Sequence, residues 1–424
     1  MLMKAYTNKK GKSIITKVEE ALTSLFLIYL IWYKEAYSSS NVILYGSVIL
    51  LTATVFYDAV RTGYARKIRI VNVMAMYGRV LVYSLITGLF IAIDMDSFLN
   101  YIMRLATFTI LCADCIFISR KEGSTDWILN IFAVCAILCA LQAALFGVSY
   151  NGGATITMSH HNNPNKIGLT MVLGAIALLY NKEKFNKRLL LNLPLLLLFF
   201  YVVMRSGSRK SFLCIGAISA LWAIDYFQSE FSRKLSGKKF FLMTFSAILI
   251  AFGTYYIITS YGNTALAQRM TRLTGELESG RRIDLYQEAI ELWLNHPLFG
   301  IGYGQFAQYS RFHYYSHSTY AEILSCTGII GTILFFNPLA AEFIKCVRLC
   351  FGKRSFRDRE KQYTARMLLL IFLIELFLAS VMILIYEIDH MLIITFLFLN
   401  IDRLTTEREN AAETTSGDKA IVTT

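Results

Sequence analysis

Apolar runs of about twenty residues alternate with short polar stretches along most of this chain. Spans are expected near 18–34, 41–60, 72–93, 98–118, 127–148, 165–180, 189–204, 211–228, 240–260, 318–340, 366–386 and 388–401. A run of that length crosses roughly 30 Å of hydrocarbon as a helix. Backbone groups in lipid must bond within their own segment, so the runs should be helices. The pattern predicts an all-α, polytopic membrane helical bundle of about 12 transmembrane helices. Glu19, Glu20, Lys34 and Glu35 crowd the first run, the sixth is short, and only a polar knot at Glu387 and Asp389 separates the last two.

One polar segment, 261–317, interrupts the series. It divides the chain into an N-terminal membrane bundle of about nine spans (1–260), the loop itself (261–317), C-terminal spans (318–404) and a polar tail (405–424). The tail is expected to be disordered and cytoplasmic. Inside the loop, Asp284 to Leu294 reads as a helix, with Leu285, Ala289, Leu292 and Trp293 on one stripe. His296-Pro297 stops it. Such a helix would lie flat on a membrane surface, with Tyr286 and Trp293 at the interface. Arg281 and Arg282 would then precede its first turn and, with the free N–H groups there, attract an anion. Gly300, Gly302 and Gly304 alternate just beyond, as a tight reversal requires.

Composition agrees with the membrane reading: 55% of residues are hydrophobic and 17% charged. The net charge of +13 could suggest nucleic acid as a partner. Most Lys and Arg instead lie between spans, where orientation requires them, so no nucleic-acid role is expected. With the N-terminus in the cytoplasm, inner segments carry 26 basic residues and outer segments ten, which puts the long loop outside. The first span has no small-residue cleavage site after it and reads as retained. Seven of the ten outer basic residues are Arg. Arginine presents a planar fork of donors suited to phosphate oxygens, although pairing with the loop's own acids would also account for individual members. The eight cysteines sit mostly inside apolar runs without clustered His or Asp. They read as packing residues, and no metal or other cofactor is expected.

The candidate chemistry gathers outside. His317 lies just before the tenth span and can take a proton from a hydroxyl nucleophile. His313 competes for that role. Glu322 could orient the imidazole, bind sugar hydroxyls, or simply pack. Arg205, Arg209 and Lys210 crowd one short outer turn. A second loop holds His160-His161-Asn162-Asn163-Pro164-Asn165, where Asn163 and Asn165 suit a polyhydroxylated ligand. Asp94-Met95-Asp96 has the spacing of an acidic pair for a divalent ion, but span ends need polar residues anyway. Arg79 and Arg104 lie within apolar runs and are costly there. Arginines for an anion, a histidine for a proton and Asn-rich loops for sugars together suit glycan transfer from a lipid diphosphate to a hydroxyl.

At these residues the chain resembles the O-antigen ligase and O-antigen polymerase superfamily, bacterial membrane enzymes acting on undecaprenyl-diphosphate-linked glycans. The similarity covers roughly 150–340. It is carried by Ser279-Gly280-Arg281-Arg282-Ile283-Asp284-Leu285-Tyr286, Asn295-His296-Pro297-Leu298-Phe299-Gly300-Ile301-Gly302 and His317-Ser318-Thr319-Tyr320 with Gly328-Ile329-Ile330-Gly331. Ser206-Gly207-Ser208-Arg209 and Asn163-Pro164-Asn165 add to it. The resemblance implies that Arg209 and one of Arg281 or Arg282 hold the diphosphate, and that His317 activates the acceptor. It also implies a metal-independent, inverting displacement at the bacterial cytoplasmic membrane, with a lipid flippase and a chain-length regulator as partners. The family commonly has Asn after the histidine, where this chain has Ser318. Polymerase is favoured over ligase because no extra acceptor-binding domain is visible. A transporter of lipid-linked sugars would need more membrane-embedded charge and an internal repeat.

Overall fold

The computed structural model describes residues 14–33, 41–61, 72–146, 148–150, 155–157, 164–231, 276–352, 356 and 358–421. Seven helices among them are long and apolar enough to cross a membrane: Asn72–Ile91, Met95–Glu122, Asp126–Ala143, Leu189–Ser206, Arg209–Phe227, Thr319–Phe351 and Arg359–Val381. The bundle is all-α and polytopic apart from a short antiparallel hairpin, Val148–Tyr150 with Thr155–Thr157. The expected count of about 12 is therefore corrected to seven among the described residues, for local reasons. The first run makes a helix of only 15 residues, Ile14–Ile28, followed by a π turn at Tyr29–Tyr33. Asn165–Leu179 is apolar but short, whereas the run at 41–60 forms one 21-residue helix, Asn41–Arg61. The expected span at 240–260 lies outside the described residues. The last run is crowded by Asp389, Asp402 and Arg403 within a much longer helix, Ile388–Ile421. That helix continues through most of the tail expected to be unstructured.

The chain forms two compact units. The first comprises residues 1–27, 39–128 and 277–424. Its centre is the packing of Thr319–Phe351 against Asn72–Ile91, Arg359–Val381 and Ile388–Ile421. Asn72–Ile91 and Met95–Glu122 form a hairpin so close that a Cβ on Gly88 would lie 2.0 Å from the Phe98 ring. Several buried polar groups in this unit find partners, which offsets the cost of low-dielectric surroundings. Asn400 and Thr125 bond side chain to side chain, Glu375 meets His390 Nδ1 at 3.0 Å, and Lys121 bridges Glu19 and Asp58.

The second unit comprises residues 28–38 and 129–276. Pro164–Leu179 packs against both Leu189–Ser206 and Arg209–Phe231. The contacts admit only small residues: a Cβ on Gly174 would lie 2.4 Å from that of Ala136, and one on Gly168 would lie 2.7 Å from Ser211 Oγ. None of the eight cysteines is in a disulfide, and seven are buried.

Candidate functional site

The polar segment is built in the first unit around a helix that runs from Glu276 to Asn295. It starts two turns before the expected position, so the expectation that Arg281 and Arg282 precede its first turn is corrected: both lie in its interior. Ser279 and Gly280 disfavour helix interiors, which is why the sequence suggested a start after them. The apolar stripe also behaves differently from the surface helix expected. Leu285 and Ala289 are buried against Ile301, Phe306 and Cys326, with Leu292 beside them. The helix therefore packs on protein along this stripe, and the Tyr286 hydroxyl donates to Ser380 O at 3.0 Å.

Its end leads into the glycine turn. Gly300, Gly302 and Gly304 have φ of 74°, 101° and 74°, the left-handed region that only glycine enters without cost. This turn is inserted into a break in the Thr319–Phe351 helix at Gly328, whose φ of 62° and ψ of −169° are non-helical. Breaking a helix orphans carbonyls on one side and N–H groups on the other. Here the turn takes up both. Ile301 N donates to Ser325 O at 3.0 Å and Gly302 N to Cys326 O at 2.9 Å, while the Tyr83 hydroxyl donates to Thr327 O at 2.8 Å. In return Ile329 N donates to Pro297 O at 2.9 Å and Ile330 N to Leu298 O at 3.4 Å. The approach is closed to side chains, since a Cβ on Gly300 or Gly328 would sit 2.4 Å from opposing backbone.

Gln305, fully buried, secures the turn to the reversal between the Asn72–Ile91 and Met95–Glu122 helices. Its Oε1 accepts from Ile93 N and Asp94 N, and its Nε2 donates to Asp94 O. Asp94 itself caps the Met95–Glu122 helix, accepting from Ser97 N at 3.2 Å, and also accepts from Gln308. Its place at a span end is accounted for by this capping.

The segment then reaches His317, which with His313 is one of two non-glycine residues at positive φ among the described residues, at 59° and 49°. His317 is held in this conformation from both sides. Ser316 N donates to Glu322 Oε2 at 3.1 Å, and Ser316 Oγ donates to Ser318 O at 2.9 Å. Beyond it, Thr319 N and Oγ1 both donate to Met382 O, and Ser318 Oγ caps the helix by accepting from Ala321 N. The residue that departs from the family pattern, Ser318, thus serves as the N-cap. Glu322 is 2% exposed, and its other oxygen accepts from the Tyr386 hydroxyl at 3.1 Å.

Two tyrosines flank His317. Their rings stack at 4.5 Å, and the imidazole lies 5.2 Å from the Tyr314 ring and 4.4 Å from the Tyr315 ring. Burial, then the hydrogen bond with Tyr314, push the Tyr315 phenol up; the Arg282 guanidinium is close enough to oppose that rise. Arg282 acts on Tyr286 in the same sense. Arg282 is thus exposed beside the His317 tyrosines, and it carries no ion pair among the described residues. Arg311 does have one: its Nε donates to Glu288 Oε1 at 2.6 Å, and Ser310 Oγ donates to Oε2 at 2.7 Å. Burial works to raise the Glu288 carboxyl, but these hydrogen bonds prevail and hold it below its ordinary value. His313 is exposed, with its N–H donating to Ser310 O. The Arg281 side chain and Asn163 lie outside the described residues.

The second unit carries the other expected residues. Gly207, at φ 67°, ends the Leu189–Ser206 helix, and Arg209 starts the next. Gly168 packs on Ser208 and Ser211, which brings Asn165 to the same end of this unit as Arg205 and Arg209. Tyr386, Gln305 and the break at Gly328 were not singled out from sequence, because their roles depend on partners 64, 211 and about 30 residues away.

A polytopic helical scaffold presenting a histidine held at positive φ, with an exposed arginine acting on its neighbouring tyrosine, defines a membrane protein with a candidate catalytic loop. Residues 194–336 match the family described as O-Antigen ligase, and the chain carries a domain of that family. The match includes Arg205, Arg209, Arg281, Arg282, His313, His317 and Glu322, and stops short of Asn163, Asn165 and Tyr386. It supports glycan-handling activity of the ligase or polymerase kind. No curated protein matches the chain.

Proposed function

We propose that the protein is a glycan polymerase of the bacterial cytoplasmic membrane, with its loop on the outer face. It transfers an undecaprenyl-diphosphate-linked glycan to a sugar hydroxyl of another lipid-linked repeat unit. The observation that carries this reading is His317, held at positive φ against Tyr315, on which the exposed Arg282 acts, inside a domain of the O-antigen ligase family. In the proposed step the acceptor oxygen bonds to the anomeric carbon as the bond from that carbon to the diphosphate breaks. A ring nitrogen of His317 takes the hydroxyl proton, and the lipid diphosphate leaves with the bonding electrons. Arg282 counters its growing charge; the family resemblance assigns Arg209 to diphosphate binding, and Arg205 is assigned to substrate binding. Glu322 acts as a positioning residue through Ser316, and Asn163, Asn165 and His313 are assigned to the glycans.

Deletion of the gene and complementation with His317→Ala and Arg282→Lys test this through the length ladder of surface polysaccharide. Loss of polymerase activity leaves single repeat units attached to their acceptor. The family's description favours a second reading, a ligase, whose loss would leave full-length polymer on the carrier lipid. A wild-type ladder in both variants would sink the site assignment.

A further inference from the structure

The Tyr314–Tyr315 pair has no part in the displacement chemistry above, yet it is the group in ring contact with His317. Tyr314 is 47% exposed and Tyr315 36%. Their rings are stacked with an interplanar angle of 28°, so each covers one face of the other and the pair leaves its remaining exposed aromatic surface to a ligand. The segment beneath is fixed: His313 N donates to Ser310 O before it, and Ser316 N donates to Glu322 after it. A rigid ring costs little entropy on binding, which is what makes tyrosine an effective contact residue.

We propose that Tyr314 and Tyr315 form the subsite for the acceptor, stacking against the C–H face of a pyranose ring whose hydroxyl then points to His317. This rests on the transferase reading and names the group that carries its acceptor. Three observations favour a sugar over a lipid tail as occupant. The exposed surface is aromatic with hydroxyl-bearing edges, and an aromatic face is electron-rich and attracts the polarised C–H groups of a sugar. Arg282 and Glu387, both charged, lie close enough to act on Tyr315, which suits a polyhydroxylated ligand and penalises an acyl chain. Finally, the imidazole lies within 5.2 Å of both rings, so a monosaccharide seated on them has a hydroxyl within reach of it.

The test uses the full-length protein in detergent with one probe: the oligosaccharide freed by mild acid from the producing cell's own carrier-linked repeat unit. Saturation transfer from protein to sugar C–H protons reports stacking. Wild type and Tyr314→Trp should bind, with transfer strongest on one ring face. Tyr314→Leu, apolar but not aromatic, should bind on the order of tenfold more weakly, and Tyr314→Ala likewise. Equal binding in all four proteins overturns the subsite, as does a Leu variant that matches Trp, the result a membrane anchor gives. His317→Asn separates this from the reading beneath it. If that variant still transfers glycan while the Tyr314 variants lose the sugar, the subsite stands and the base assignment fails. If it is inactive while Tyr314→Ala binds normally, the base stands and the subsite fails.

Discussion

At His317 conformation and chemistry can be separated by choice of substitution. The left-handed region costs most side chains about 1–2 kcal/mol, and Asn and His tolerate it best. His317→Asn should therefore melt close to wild type yet form no polysaccharide ladder. His317→Val should also lose about 1–2 kcal/mol of stability, visible as a lower melting temperature in detergent. A ladder from the Asn variant would remove His317 from the chemistry. Glu288 gives a pH prediction. Its carboxyl is held below its ordinary value of 4.5, so its contribution to the loop is fully present above that value and is lost as pH falls through the lowered one. Proteolysis of the 305–317 segment should rise on acidification through that window, and Glu288→Gln should remove this dependence. The histidine was legible from sequence because it closes a polar segment next to an apolar span. Its backbone conformation was not, because that is imposed by the side chain of Glu322 and by Met382, which follows the Arg359–Val381 helix far away in the sequence.

The glycine turn and the broken helix form one unit of hydrogen bonding. Gly328→Ala would put a methyl group 2.4 Å from Leu298 backbone and force a strained φ. The expected cost is about 3 kcal/mol and release of the turn, since the helix can then close on itself. Limited proteolysis near Leu298 checks this, and a resistant variant would show that the break is set by something other than Gly328. The alternating glycines announced a reversal in the sequence. The break did not, because one glycine in an apolar run is ordinary and only the incoming N–H and C=O groups make it stable. The Glu276–Asn295 helix taught the reverse lesson. Its stripe was readable, but the protein partner of that stripe, at Ile301, Phe306 and Cys326, came from across the turn.

Across the membrane, the surplus of basic residues predicts that the loop faces outward. Phe312→Cys, at a side chain 42% exposed, should react in intact cells with a maleimide that cannot cross the membrane. The buried state of seven native thiols keeps background labelling low. Labelling only after permeabilisation would invert the topology. Apolar run lengths gave the helical class correctly but, among the described residues, more spans than the seven long apolar helices found there, because they register hydropathy without regard to charge at run ends or to helix length. The Gly328 break also constrains how the protein is made. The span at 319–351 follows the turn in the chain, so the turn is synthesised before the helix it completes. Within lipid an unpaired peptide group costs several kcal/mol, so the span would enter the bilayer as a continuous helix. It then opens at Gly328 only when the turn arrives to replace the lost bonds. Its final shape is thus reached after insertion, and maturation of the glycine turn and of this span becomes a single late event in biogenesis.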